Sequence, residues 1–247
     1  MHPIEISESA GVRRLHFGSG WVQGAMRIAR PYALALEYTQ VMMTCLLMRE
    51  TGSQFRRWPR SALLIGLGAG SLAKFLHRHV PDCRITVVEI NPQIEFIARQ
   101  YFKLPDESPR FNVQIGCGAD YLARCKRRFD LILVDGFSPD GQPGALATPA
   151  FYQDCRAQLT SPGIFCVNVL RETGWREQIS AIDNAFSQQT AVFPPCASGN
   201  TLVFGRGEEN IRIDLATLEA RATALKKHSQ LKLAPTLKTL PAGGLDF

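Results

Sequence analysis

Three glycines at alternate positions are the first sign of chemistry in this chain. Gly66, Gly68 and Gly70 lie in "ALLIGLGAGSLAKFL", between a continuous apolar run and a segment with helical spacing. Glycine lets the backbone turn sharply and approach a ligand, because no Cβ stands in the way. The following helix would offer unpaired N–H groups to a polar or anionic group. The pattern predicts a nucleotide-binding turn; the alternative is a tight strand-to-helix turn without a ligand.

A carboxylate follows this loop at the spacing that suits a ribose. Glu89 ends the next apolar run, "RITVVE", twenty-three positions after Gly66. A carboxylate at the end of this strand can accept hydrogen bonds from both hydroxyls of a ribose. The glycine loop and the acid together are more specific than the loop alone. The alternative for Glu89 is an ordinary surface residue.

The elements that must position these residues alternate between strands and helices. We predict strands over 62–66, 84–89, 111–116, 130–135, 163–170, 190–193 and 201–205, and helices over 71–79, 92–102, 119–126, 149–159 and 174–187. Apolar strands that alternate with helices form a parallel sheet covered on both faces. Only "PPCASGN" separates the last two strands, so we expect an antiparallel hairpin at one edge. This is an α/β, Rossmann-like fold with a seven-stranded, mostly parallel sheet.

The two ends of the chain differ from this middle part. Residues 4–30 hold short β-like pieces separated by "GSG", and residues 33–50 have apolar residues at helical spacing. We therefore expect a small N-terminal β-hairpin and helix piece over 1–52 and a nucleoside-binding domain over 53–210. A C-terminal helix and tail would occupy 211–247, with the final "LPAGGLDF" loosely held.

Composition excludes several classes of protein. The seven cysteines are scattered and form no CxxC, so we expect neither a metal site nor a disulfide framework. There is no long apolar run and no leader-like start, so we expect no membrane contact and a cytoplasmic location. The net charge is +6. The basic clusters "RRWPR" and "RCKRR" are short and lack interleaved aromatics, so we do not expect a nucleic-acid partner.

The spacing of the glycines bears on which nucleotide binds. A dinucleotide site uses GxGxxG, with a third glycine for close helix packing, and Ser71 stands at that place. The sequence "GLGAG" instead resembles the class I methyltransferase-like fold, which binds a nucleoside sulfonium such as S-adenosylmethionine. A dinucleotide oxidoreductase is the alternative.

Longer motifs narrow the resemblance. The segments "ITVVEINPQIEFIARQYF", "VQIGCGADYL", "FDLILVDGFSP" and "PAFYQDCRAQLTSPGIFCVNV" resemble the polyamine aminopropyltransferases, the spermidine synthase family. The resemblance covers about residues 10–205, including the β-rich N-terminal piece. It implies transfer of an aminopropyl group from decarboxylated S-adenosylmethionine to a small-molecule amine acceptor. It also implies a homodimer, to which Trp21 and the apolar run "VMMTCLLM" would contribute unless that run is buried within one chain.

The resemblance assigns roles to particular residues. Asp135 matches the aspartate that orients and deprotonates the attacking amine, and Tyr38 matches the tyrosine beside that amine. A carboxylate is needed there because a protonated amine is not a nucleophile. The alternative for Asp135 is an acid at a strand end that caps the next loop. The implied donor-binding residues are Gln23, Gly66, Gly68, Gly70, Glu89, Ile90, Cys117, Gly118 and Ala119.

The chain departs from the family pattern where acids are expected. Ala69 replaces the aspartate that pairs with the donor ammonium, and Cys117 replaces a carboxylate on the adenine side. Ser138 stands where an acceptor-binding acid is expected, and "YTQ" replaces "YHE" or "YQE". Asp140, two positions further along, could supply the missing charge, although ordinary loop polarity also explains it. Each loss removes an anion from a pocket for cationic amines, at about 1.5–3 kcal/mol per charge-assisted contact.

Three functions therefore remain open at this point. Aminopropyl transfer is favoured by the N-terminal piece, Gln23, Tyr38 and Asp135. Methyl transfer from intact S-adenosylmethionine is the alternative, because Ala69 lacks the acid that selects a decarboxylated donor. The third function is nucleoside binding without catalysis.

Overall fold

A four-stranded antiparallel sheet forms the N-terminal part of the protein. The computed structural model describes residues 3–18, 22–49, 58–138, 141–207 and 212–247. The strands of this sheet, in order across it, are β1 (Glu5–Ser9), β2 (Val12–His16), β3 (Gly24–Arg27) and β4 (Arg30–Leu34). Ala10 and Gly11 join the first two, and both have positive φ, as a two-residue hairpin turn requires.

The next segment is helical over a shorter range than the predicted 33–50. Helix α1 (Glu37–Met42) continues as a 3₁₀ turn over Met43–Leu47, and residues 33 and 34 belong to β4. The prediction was wrong at its start because one face of a short strand and one face of a helix both show a few apolar residues. The run 41–48 is buried within the chain, so it does not form an outer surface.

A seven-stranded sheet forms the centre of the molecule, as predicted. Its strands are β5 (Ser61–Ile65), β6 (Arg84–Glu89), β7 (Phe111–Ile115), β8 (Phe129–Val134), β9 (Leu159–Leu170), β10 (Thr190–Val192) and β11 (Asn200–Arg206). Across the sheet the order is β10-β11-β9-β8-β5-β6-β7. The five strands from β9 to β7 pair in parallel. Strand β11 pairs antiparallel with β9 and β10, which confirms the edge hairpin.

Helices cover both faces of this sheet. They are α2 (Ser71–His79), α3 (Pro92–Phe102), α4 (Gly118–Arg124), α5 (Pro149–Ala157) and α6 (Trp175–Ala185). Alternate residues of β5 point to opposite faces, so Ala62 and Leu64 enter one apolar core and Leu63 and Ile65 enter the other. The parallel strands therefore end at one edge, where a ligand can reach the start of each helix.

The C-terminal residues are held more firmly than the sequence suggested. Beyond β12 (Arg212–Ile213) lie α7 (Leu215–Ser229), α8 (Ala234–Leu237) and β13 (Leu245–Asp246), and β12 pairs with β13. Leu245 and Phe247 are each 4% exposed. The expectation of a loose "LPAGGLDF" was wrong, because these apolar side chains belong to the main core cluster. The predicted domain boundaries, after residues 52 and 210, fall outside the described residues.

Candidate active site

One large cavity opens at the carboxyl edge of the central sheet. Its volume is about 1210 Å³, above the usual size of a small-molecule pocket, so it can hold two ligands. The predicted site residues that line it are Gln23, Tyr38, Gly66, Gly68, Glu89, Ile90, Cys117, Gly118, Asp135 and Ser138. Gly70 and Ala119 do not line it, and Asp140 lies outside the described residues.

The glycine loop brings two strand ends together. Gly66 has a φ of +94°, and a Cβ there would lie 2.1 Å from the carbonyl oxygen of Asp135. Gly70 also has a positive φ, but its missing Cβ leaves room for Leu104 rather than for a ligand. Gly66 therefore allows the end of β5 to lie close to Asp135, and Gly70 allows the start of helix α2 to pack closely against Leu104.

Glu89 is fixed by the loop that it faces. Its side chain is 8% exposed, and its two oxygens accept hydrogen bonds of 2.9 Å from the backbone N–H groups of Leu67 and Asn91. Burial raises the pKa of Glu89, and these backbone donors partly offset the rise. Each carboxylate oxygen can accept a further hydrogen bond, so ribose hydroxyls fit here.

Apolar side chains line another part of the cavity near Glu89. Ile90 is 71% exposed, an unusual state for a large apolar side chain, and it lines the cavity with Leu146 and Cys117. A Cβ at Gly118 would lie 2.4 Å from Ile65, so only glycine fits at this start of α4. Ala119 packs against the core under the sheet instead. An apolar slot beside a carboxylate that can bind ribose hydroxyls suits a purine ring.

Asp135 is held by two donors at the end of β8. The Tyr38 hydroxyl donates to Oδ2 at 3.1 Å, and the Asn168 side-chain amide donates to Oδ1 at 2.9 Å. Burial raises the pKa of Asp135, and the two donors partly offset the rise. The pKa of Tyr38 is raised well above its ordinary value by burial and by the Asp135 charge, so the phenol stays protonated. Asp135 is thus an oriented carboxylate with enhanced proton affinity.

The hydrogen-bond network extends beyond Asp135 to residues that the sequence reading missed. Asn200 donates to Asn168 Oδ1 at 2.9 Å, and the Ser198 hydroxyl donates to Asn200 Oδ1 at 2.5 Å. This chain of bonds fixes the Asn168 amide with its N–H towards Asp135. A polar residue near the end of the apolar strand "GIFCVNVL" was the available signal.

Ser138 makes a local turn rather than presenting a free hydroxyl. Its Oγ donates to the carbonyl of Gln142 at 2.9 Å and accepts from the Gln142 N–H at 3.0 Å. Its own N–H donates to the same carbonyl. The residue at the place of the family acid therefore shapes the loop over the cavity.

Comparison with known proteins decides the family. A sequence model described as the spermine/spermidine synthase domain matches residues 37–200, more than half of the chain. The chain belongs to this family. Its curated relatives include a polyamine aminopropyltransferase from Chromobacterium violaceum, 34% identical, with 92% of this chain and 84% of the relative covered. One from Neisseria meningitidis is 34% identical, with 90% and 82% covered.

Methyltransferases also resemble this chain. The human eEF1A lysine and N-terminal methyltransferase is 31% identical over 60% of this chain and 23% of its own length. Human methyltransferase-like protein 13, solved in complex with SAH, has a TM-score of 0.71 at 26% identity, with 79% of this chain and 93% of that chain covered. A probable spermidine synthase from Corynebacterium glutamicum has a TM-score of 0.72 at 19% identity, with 90% and 83% covered. The last likeness shows the fold.

Three residues that stand where the resemblance leads us to expect other side chains, Ala69, Thr39 and Gln40, make local contacts in the structure. Ala69 is buried under β3, where a Cβ on Gly24 would lie 2.6 Å from its own. The Thr39 hydroxyl and the Gln40 amide donate to nearby backbone carbonyls, at 2.7 and 3.2 Å. Ala69, Thr39 and Gln40 thus serve local structure.

Within the described residues, we find no cluster of three or more His, Cys, Asp or Glu that could hold a metal ion. The same residues include no helix long and apolar enough to cross a membrane.

Proposed function

We propose that this protein transfers an aminopropyl group from decarboxylated S-adenosylmethionine to an amine acceptor. The observation that carries the proposal is Asp135, a carboxylate of raised pKa held by Tyr38 and Asn168 in the same cavity as the glycine loop. Membership of the spermine/spermidine synthase family supports it. The relatives named polyamine aminopropyltransferase, which match most of the chain, support it too.

In this proposal the residues divide the work between holding the donor and activating the acceptor. Glu89 binds the ribose, Ile90 and Leu146 contact the purine, and the glycine loop allows the close approach. Asp135 takes the proton of the acceptor ammonium, and the neutral amine then attacks the carbon next to the sulfonium. The C–N bond forms, the C–S bond breaks, and methylthioadenosine leaves with the electron pair on sulfur. Asp135 passes its proton to solvent. Because the sulfonium is already a good leaving group, positioning supplies much of the rate.

Methyl transfer is the second candidate, and two observations favour it. Ala69 offers no carboxylate for the donor ammonium of a decarboxylated donor. The eEF1A methyltransferases also match about 60% of this chain. Under this candidate, intact S-adenosylmethionine would be the donor and the same Asp135 would face the acceptor amine.

Product analysis separates these functions. The purified protein is incubated with each donor and a panel of amines, and the nucleoside products are measured by chromatography. We expect methylthioadenosine from the decarboxylated donor; S-adenosylhomocysteine from the intact donor would instead support methyl transfer. Asp135→Asn should abolish turnover and leave methylthioadenosine binding, measured by calorimetry, within about twofold. Tight nucleoside binding without either product would leave a non-catalytic role, and unchanged turnover in Asp135→Asn would refute the role of the carboxylate.

The proposal includes a homodimer in the cytoplasm. Large apolar side chains that are exposed in the single chain are Ile28 in the turn after β3, Tyr32 on β4 and Val22 before β3, of which Val22 also lines the cavity. Trp21, the other residue suggested for this surface, lies outside the described residues. Light scattering on the purified protein tests the dimer: we expect twice the mass of the chain, and Ile28→Asp with Tyr32→Asp should halve it.

A further inference from the structure

The described residues that line the cavity include one cationic side chain among several carboxylates. Among the described residues that line it, the charged ones are Glu37, Glu89, Asp135, Arg171 and Glu172. Glu89 serves the ribose and Asp135 the reacting amine, and Glu37 accepts a hydrogen bond of 3.0 Å from the backbone of the 194–199 loop. Arg171 and the neighbouring Glu172, both exposed to solvent on the cavity wall, then have no assigned role.

Arg171 has no partner that would neutralise it among the described residues. It follows directly after β9, and its guanidinium lies 4.3 Å from the ring of Trp175. The ion pairs of the described residues lie elsewhere, on Arg13, Arg99 and Arg124. Stacking on an aromatic face holds the planar fork of an arginine while leaving its N–H groups able to bind an anion. Arg171 is therefore a restrained cation in a cavity for amines.

The position of Arg171 along β9 relates it to the reacting amine. Asn168, which holds Asp135, is three residues upstream on the same chain segment. At about 3.3 Å per residue, Arg171 lies on the order of 10 Å further along the strand direction. A chain of four or five carbons between an amine and a carboxylate, together with the arginine side chain, spans this distance. A plain diamine would bring its second ammonium towards this cation, whereas a carboxylate would gain a charge-assisted, bidentate contact.

We propose that Arg171 binds a carboxylate of the acceptor, so that the acceptor is an α,ω-diamino acid rather than a plain diamine. Glu172, on the same wall, binds the α-ammonium of this acceptor, and the ω-amine is presented to Asp135 and Tyr38. This inference rests on the proposed transfer function and names its acceptor class. It also explains why the pocket functions without an acid at Ser138, since the far end of the acceptor is zwitterionic.

Two pairs of acceptors test the proposal, because each pair differs by one carboxylate. Ornithine is putrescine with a carboxylate, and lysine is cadaverine with a carboxylate. Because Arg171 is exposed to solvent, we expect wild-type kcat/KM to favour ornithine over putrescine by about 3- to 10-fold, less than a fully buried charge-assisted contact would give. Arg171→Met should remove this preference or reverse it. Arg176→Met is the matched control, since Arg176 stacks on the same ring at 4.6 Å but does not line the cavity.

Failure of this inference can be told apart from failure of the transfer function. Turnover with putrescine but not ornithine, or an unchanged acceptor ratio in Arg171→Met, would overturn the inference and leave aminopropyl transfer standing. If no acceptor yields methylthioadenosine, the transfer function fails, and calorimetry with ornithine or putrescine on the protein saturated with methylthioadenosine still tests Arg171. Tighter putrescine binding in that experiment would refute the role of Arg171. Arg171→Lys, which keeps the charge but loses the fork, should retain part of the preference if the variant proteins are folded.

Discussion

Replacing Asn168 with leucine tests the central network of the site. The substitution keeps the size of the side chain but removes the amide N–H that lies 2.9 Å from Asp135 Oδ1. Of the two side-chain donors that hold the carboxylate, only the Tyr38 hydroxyl then remains. The carboxylate stays in the same buried place, so the change isolates one interaction with the proposed base.

The expected effect is a shift of the pH profile. A hydrogen bond to a charged group contributes about 1.5–3 kcal/mol, and about 1.36 kcal/mol corresponds to one pH unit. Burial raises the pKa of Asp135 and the Asn168 hydrogen bond lowers it, so losing Asn168 raises the pKa further. The proposed reaction uses the unprotonated carboxylate. The acidic limb of the kcat/KM profile should therefore move to higher pH, by on the order of 1–2 pH units if one charge-assisted hydrogen bond is lost.

The assay follows methylthioadenosine release from pH 5 to 9 for wild type, Asn168→Leu and Tyr38→Phe. Tyr38→Phe removes the other donor and should move the limb in the same direction. Asn168→Leu also leaves the Asn200 amide without its acceptor, so thermal unfolding and methylthioadenosine binding are measured in parallel. A folded Asn168→Leu protein that binds methylthioadenosine normally, yet keeps its acidic limb or shifts it to lower pH, would refute this account of the network.

Three further predictions concern stability and are measured by urea unfolding. Burial lowers the pKa of Lys74 from 10.5 to about 7, so folding carries a cost that is largest below pH 7 and falls to zero above pH 10.5. Lys74→Met removes this cost, but it also removes the 2.7 Å hydrogen bond from Lys74 Nζ to the Phe102 carbonyl at every pH. The stability of the variant relative to wild type should therefore be higher at pH 6 than at pH 9 by roughly 3 kcal/mol. A pH-independent difference would contradict this sign. Gly66→Ala places a Cβ 2.1 Å from the Asp135 carbonyl and should destabilise strongly, whereas Gly116→Ala, with open space around it, should change little. Phe247→Ala should cost about 3 kcal/mol, and an unchanged midpoint would mean that the tail does not complete the core.

The central sheet was predictable because its strands are buried on both faces. Such strands appear in the sequence as continuous apolar runs, and the predicted 84–89 agrees with β6 at both ends. Helices α2 and α3 also have their predicted bounds, 71–79 and 92–102. Gly70 marks the start of α2, and the pair Asn91 and Pro92 marks the start of α3. Strand ends then locate Glu89 and Asp135 at one edge without any knowledge of side-chain contacts.

Contacts between distant segments were not predictable in the same way. The bond from Asn168 to Asp135 joins residues 33 positions apart, and the sequence shows only an asparagine in an apolar strand. The placement of Gly70 and Ala119 outside the cavity depends on which way one turn of backbone faces, and spacing alone does not determine this. The sequence predicts a loose tail, because the burial of its apolar side chains depends on a core that only the folded chain presents.

The site separates the chemistry of the reaction from the choice of acceptor. Asp135 depends for its orientation on Tyr38 and Asn168, which are present, and not on the family acids that this chain has replaced. We therefore expect a substitution at Ser138 to change what binds at the far end of the acceptor without removing the proposed base. If this separation holds, a change of acceptor should act mainly through KM, while changes to the donors around Asp135 should act through kcat and its pH dependence. Ser138→Asp loses the hydroxyl that donates to the Gln142 carbonyl, so it is compared with Ser138→Asn, which changes the same position without adding a charge. Relative to Ser138→Asn, Ser138→Asp should improve binding of a plain diamine and leave the acidic limb in place, which distinguishes a pocket with altered specificity from one that has lost its activity.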